Sequence, residues 1–173
     1  MKKYTIDDFK FFIDEKIFIY VGEDKKGRPI ILNTAANVKI QSYDPELYSD
    51  FYIYWLEIFL PTKMRGHVDQ LVILADVSNL SMESFKLQVT RRNISDNLKY
   101  GPERQVKLYA MNAGNTAYFC WKLIKPLLPH KTHDKVMITS TNIQERIKEM
   151  SVDIDVEVIP SHLGGENVLK ELQ

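Results

Sequence analysis

Several residues in this 173-residue chain have the types and spacing that could support chemistry. His130 and His133, followed by Asp134, have the three-residue spacing of metal ligands on one helical face. They follow Pro129 in a polar stretch where such side chains are expected to be solvated, so no metal is expected. Cys120 is the single cysteine and lies between Phe119 and Trp121. Apolar surroundings disfavour a thiolate, so Cys120 reads as a buried, inert thiol rather than a nucleophile. Alone it cannot close an internal disulfide, which suits a reducing compartment. Asn112-Ala-Gly114-Asn-Thr116 stands between a strand pattern and a helix pattern and could offer amides to an anion, but a single glycine is weak evidence for a nucleotide. The chain has no Gly-x-Gly-x-x-Gly, no phosphate-binding Gly-Lys-Ser/Thr loop and no Gly-x-Ser-x-Gly elbow. These patterns predict neither an enzyme nor a cofactor.

The stretch from Thr116 to Leu128 is more informative. Ala117, Tyr118, Phe119, Cys120, Trp121, Leu123, Ile124, Leu127 and Leu128 surround a helical axis, and only Lys122 and Lys125 are charged. A helix apolar nearly all round is either the centre of a core or a wall over something other than water.

The elements that would position this helix follow from periodicity. Lys16 to Val21 and Pro29 to Asn33 read as strands of a hairpin, reversed at Gly27. Asp44-Pro45-Glu46 starts a helix whose apolar stripe is Tyr48, Phe51, Trp55, Ile58 and Phe59, ending before Pro61. Leu71 to Asp76 is a short continuous apolar run, suited to a strand buried on both faces. Ser81 caps a helix through about Leu98, Val106 to Met111 is a strand, and a helix starts at Asn115. Lys135 to Thr139 is a further strand. Thr141 and Gln144 make a capping box for the helix carrying Ile143, Ile147 and Met150. Val152, Ile154, Val156 and Val158 alternate with acids, as in a half-exposed strand. The fold class is therefore α/β: one domain over residues 1–173, with a mostly parallel sheet of about five or six strands flanked by helices.

Composition narrows the partners. Lys plus Arg and Asp plus Glu both number 23, so net charge is zero and no global field attracts nucleic acid. Hydrophobic residues make up 45% of the chain, enough for a sizeable core. The most apolar window, Phe51 to Leu60, is half the length needed to cross a bilayer. The N-terminus shows no secretory signal, so a cytoplasmic location is expected.

A family resemblance joins these observations. Tyr100-Gly-Pro102-Glu103-Arg104, then Met111-Asn112-Ala113, then Trp121-Lys-Leu-Ile-Lys125-Pro126-Leu-Leu128, then Thr132-His-Asp-Lys135 resemble the CRAL-TRIO lipid-binding domain. The nearest group is the fungal-type phosphatidylinositol/phosphatidylcholine transfer proteins. Asp24-Lys-Lys-Gly27-Arg28-Pro29 upstream and Ile159-Pro160-Ser-His-Leu163-Gly164-Gly165 downstream match the family's opening and closing signatures, so the likeness spans roughly residues 16–168. The resemblance implies a cavity between the sheet and a movable helical gate, holding one lipid. Asn115 to Leu128 matches that gate, with Trp121, Ile124, Leu127 and Leu128 on the cavity side. Glu103, Thr132 and Lys135 match positions that hold the inositol phosphate head group. Phosphatidylinositol or another hydrophobic lipid is the expected ligand, exchanged during transient visits to a membrane. There Trp121 and its apolar neighbours would enter the interface while Lys122 or Lys125 meets anionic phosphates.

Departures from the family pattern qualify this. Where the transfer proteins have two small hydroxyl residues that hold phosphocholine, this chain has Leu71 and Ile73. These positions share a strand face with Ala75, so phosphatidylcholine is disfavoured if they face the cavity. A less polar counter-ligand, such as a sterol, an isoprenoid or a tocopherol-like molecule, is expected instead. Gly114 replaces a common proline, which suggests a looser hinge. About fifteen residues precede the first strand, too few for the helical bundle many members carry, although Thr5 to Ile13 can form a short helix. The competing expectation is a CRAL-TRIO-type interaction domain that docks a small GTPase or other partner, its cavity filled by its own side chains.

Overall fold

A computed structural model describes residues 4–34, 45–63, 70–83, 85, 87–100 and 103–169. A 3-10 turn at Ile6–Phe9 leads into α1 (Lys10–Asp14), and Thr5 and Asp8 form a capping box at its start. The hairpin follows as β1 (Phe18–Glu23) and β2 (Pro29–Asn33), paired antiparallel. Then come α2 (Pro45–Tyr54), a π-helical turn (Trp55–Phe59), α3 (Leu60–Lys63) and β3 (Leu71–Asp76). The chain continues through α4 (Leu87–Tyr100), β4 (Gln105–Met111) and α5 (Asn115–Ile124), which ends in a 3-10 turn at Lys125–Leu127. Next are α6 (His130–His133), β5 (Val136–Ile138) and α7 (Ile143–Met150).

The five strands lie in chain order, and every pairing after the hairpin is parallel. Strands added in one direction through right-handed crossovers place all the connecting helices on the same face. The buried residues follow this rule. Ile31, Leu71 and Ile73 pack with Phe9, Phe12, Phe18, Phe51 and Trp55 in an aromatic layer on the crossover face. The alternate residues Ile30, Leu32, Val72, Leu74, Tyr109 and Met111 meet Met150, Ile154, Ile159 and Leu163 on the other face. β3 is buried on both sides, as its unbroken apolar run predicts.

Four local expectations are corrected. The apolar stripe of α2 does not end before Pro61, because the helix continues through it to Lys63. The Leu60 amide reaches back five residues to the Trp55 carbonyl, and the wider turn inserts one residue into the helical phase. Leu56 and Leu60 therefore face inward while Ile58 and Phe59 are exposed. The helix expected from Ser81 begins at Leu87, although the Phe85 amide does donate to the Ser81 carbonyl. Asn142 rather than Thr141 caps α7, accepting from the amides of Gln144 and Glu145. The expected strand from Val152 to Val158 is a run of turns. Amides of Asp153 and Ile154 both donate to the Met150 carbonyl, and that of Val158 donates to Asp155. Two of its alternating acids are held by distant parts of the chain: Asp153 accepts from the Tyr109 hydroxyl at 2.7 Å, and Asp155 pairs with Lys25 at 3.6 Å. The cap expected at Asp44 lies outside the described residues.

The hairpin turn is organised by Asp24, whose carboxylate accepts from the amides of Lys26 and Arg28 and from the Arg28 side chain. Gly27 takes the positive φ of 73° that this reversal needs. Burial opposes the charge on Asp24, yet the Arg28 and Lys26 donors outweigh it and hold the carboxyl below its ordinary pKa. A depressed carboxylate stabilises the fold above its unfolded value near ~3.9 and stops doing so as pH falls through the folded value. Asp24→Asn is therefore expected to cost about 2 kcal/mol at neutral pH, with a smaller difference from the parent below pH ~3.5, measured by urea unfolding at both pH values.

At the other end of the chain, a Cβ on Gly165 would stand 2.1 Å from the Ile159 carbonyl oxygen. Gly165→Ala must displace backbone, and a loss of about 3 kcal/mol is expected in the same assay.

Candidate functional site

The crossover face is only partly filled by the aromatic layer. Beyond it lies a cavity of about 390 Å³ between the sheet, α4 and α5. This is within the roughly 300–1,000 Å³ typical of small-molecule sites. Its floor is Ala75, Leu108, Ala110, Val136 and Ile138, the same-face positions of β3, β4 and β5. Small alanines here leave the space that leucines or aromatics fill elsewhere. Thr90 and Ile94 of α4 close one side.

The opposite wall is α5. Ala117, Cys120, Trp121 and Ile124 line the cavity at positions i, i+3, i+4 and i+7, and Leu128 extends the lining past the helix end. Tyr118, Phe119 and Leu123 point away and are 47%, 50% and 40% exposed. The helix is thus no core element: one apolar side faces a hollow and the other faces solvent. Burial pushes the Cys120 thiol pKa up, consistent with an unreactive wall residue. Trp121, expected on the cavity side of the gate, lines the cavity. The outward apolar residues are Tyr118, Phe119 and Leu123, beside the exposed Lys122 and Lys125.

One group of polar lining residues lies near β4 and α6, apart from Asn33 of β2 and Thr90 of α4. Thr132 and Lys135 line the cavity there together with Gln105. Lys135 Nζ lies 3.3 Å from Glu103 Oε2, while Lys131 Nζ bonds the other oxygen of Glu103. Hydrogen bonds from Lys131 and Lys135 hold the Glu103 carboxyl below its ordinary value. Three residues singled out from the sequence are therefore brought together, although Glu103 reaches the cavity only through Lys135. Lys131, which the sequence reading omitted, was findable from its position four residues before Lys135 in the same basic turn.

Other expected lining residues fall elsewhere. Leu71 and Ile73 are packed in the aromatic layer, and of their strand face Ala75 borders the hollow. Leu127 is half-buried in the 3-10 turn and is not among the lining residues of this cavity.

The start of α5 is anchored by side chains rather than by an amide cradle. Asn112 adopts a left-handed φ of 57° between β4 and α5. Its amide nitrogen donates to Asp76 Oδ1 at 3.0 Å, and its oxygen accepts from Arg146 Nη1. Arg146 comes from α7 and is almost fully buried, and its Nε finds no partner among the described residues. Burial lowers the Arg146 pKa, with Asp76 acting in the opposite sense. Gly114 has φ −84° and ψ −177°, angles open to any residue, so glycine's special freedom is unused in this state. Among the described residues, no His, Cys, Asp or Glu cluster is suited to a metal, and no helix is long and apolar enough to cross a membrane.

Known proteins share this arrangement. The CRAL/TRIO domain model matches residues 13–165. A protein of Arabidopsis thaliana named phosphatidylinositol/phosphatidylcholine transfer protein SFH7 is 26% identical over 180 residues, which cover 92% of this chain and 32% of that protein. The Sec14 cytosolic factor of Schizosaccharomyces pombe is 25% identical over 186 residues, covering 95% of this chain and 64% of that one. This chain therefore spans about a third of the plant relative's length. The crystal structure of Sfh5 superposes with a TM-score of 0.57 over 79% of this chain and 51% of the other at 13% identity, which shows a common fold. With the family match running from α1 to the turn at Gly165, this chain belongs to the CRAL/TRIO domain family.

Proposed function

We propose that this chain is a non-catalytic, cytoplasmic lipid-binding module that holds one phosphatidylinositol or other hydrophobic lipid and exchanges it at membrane surfaces. The observation that carries this reading is α5, apolar toward a hollow on one side and toward solvent on the other. A helix so built is stable against hydrocarbon in both directions, as a ligand within and as a bilayer interface without. The names of the plant and fission-yeast relatives, which refer to phospholipid transfer and a cytosolic factor, support the same reading.

The energetics assign separate tasks to the two ends of the site. Burying an acyl chain is worth about 0.8 kcal/mol per methylene relative to water, but a bilayer already provides that burial. An apolar wall therefore only equals the membrane, and selectivity falls to polar groups. Lys135 supplies a point charge for a phosphodiester, Thr132 a donor and acceptor, and Glu103 an acceptor for ring hydroxyls. Leu71 and Ile73 are packed in the aromatic layer rather than in the hollow, so they do not discriminate between second ligands. Lys122 and Lys125, beside Tyr118 and Phe119, suit brief contact with anionic lipid.

Organic extraction of purified protein followed by mass spectrometry should yield about one lipid per chain. Lipid-free protein that also fails to move phosphatidylinositol between vesicles would overturn the proposal. Cys120→Trp, which fills the hollow, is expected to abolish lipid uptake while far-ultraviolet circular dichroism stays unchanged. Lys135→Ala should lower phosphatidylinositol transfer about tenfold, the loss of one charged hydrogen bond, with little change in melting temperature. Equal losses for every lipid would remove the head-group assignment.

A further inference from the structure

The far end of α5 carries an unusual solution to a backbone problem. Pro126 and Pro129 have no N–H. In a continuing α-helix those amides would reach the carbonyls of Lys122 and Lys125. The chain instead tightens into the 3-10 turn at Lys125–Leu127 and then extends at Leu128. The Leu128 amide supplies one donor to the Lys125 carbonyl at 3.2 Å. A second comes from a side chain: His133 Nε2 lies 2.8 Å from the Lys125 oxygen and 3.1 Å from the Leu128 oxygen. Both oxygens can only accept, so Nε2 must carry a proton and donate to the pair. The same ring meets the cavity-lining indole of Trp121 edge-on, with centroids 6.4 Å apart and planes at 81°. The His130 ring lies 4.9 Å from that of His133, centroid to centroid.

We infer that His133 is a positioning residue that latches the turn ending the gate helix α5, through the carbonyls of Lys125 and Leu128 and through Trp121. Its role in lipid exchange rests on the function proposed above. The latch belongs to α6, the turn that also carries Thr132 into the cavity. Opening the gate at this end must break the His133 bonds, so their strength sets how readily the hollow is exposed.

Two substitutions separate the hydrogen bond from the ring. His133→Phe keeps an aromatic edge toward Trp121 and removes the donor, whereas His133→Gln returns an amide N–H near the position of Nε2. Hydrogen–deuterium exchange of the purified protein, read over the amides from Leu123 to Leu128, should rise about fivefold in His133→Phe and return to within twofold of the parent in His133→Gln. Phosphatidylinositol transfer between vesicles should change in His133→Phe and recover in His133→Gln. Parent-like exchange in His133→Phe would overturn the latch, as would a rise spread evenly over the whole chain or no rescue by glutamine. The expected exchange pattern together with absent lipid transfer would leave the latch standing and remove the lipid-transfer reading instead.

Discussion

The structure depends on one unsatisfied requirement: α5 has apolar side chains on both of its sides and too little protein to cover them. A sheet alone could bury one side of such a helix, as the aromatic layer buries α2. Here the floor beneath α5 includes the paired Ala75 and Ala110, whose small side chains leave contact incomplete. Empty apolar space forfeits dispersion contacts, and the loss is recovered only when something apolar enters. The hollow is thus a direct expression of missing side-chain volume.

The rest of the molecule is arranged around that gap. Crossovers of one hand load one face of the sheet with α2, α4 and α5, and the opposite face is sealed by α7 and the turns that follow it. The aromatic layer, with Phe12 stacked on Phe51 at 4.8 Å, closes the end of the crossover face near α1. It occupies the region where Leu71 and Ile73 would otherwise have met a ligand. Lys135, the charged residue of the lining, lies with Thr132 and Gln105 around β4 and α6.

Much of this was legible in the residues. Continuous apolar strands, the Gly27 reversal and the apolar girth of α5 follow from local chemistry and survive in the structure. Two of the misreadings used a period that the chain interrupts, and the other two placed a helix cap on the wrong residue. The π turn shifts the phase of α2 by one residue, so Ile58 and Phe59 lose their inward places to Leu56 and Leu60. The alternation from Val152 to Val158 mimics a strand, but Asp153 is committed to Tyr109 and Lys107, and the backbone bonds locally. The orientation of Trp121 could not be settled by a helix apolar on every side, because periodicity offered no contrast between in and out. The pairing of Lys131 with Glu103 joins residues 28 positions apart, a distance at which composition is silent.

Arg146 has a consequence for the walls of the hollow. It comes from α7 on the sealed face and bonds Asn112, which has a left-handed backbone just before α5. The two faces are thereby mechanically joined at a single buried cation. The angle at which α5 leaves the sheet is thus held by residues outside the cavity lining, so substitutions on the back of the molecule have a route to the walls of the hollow.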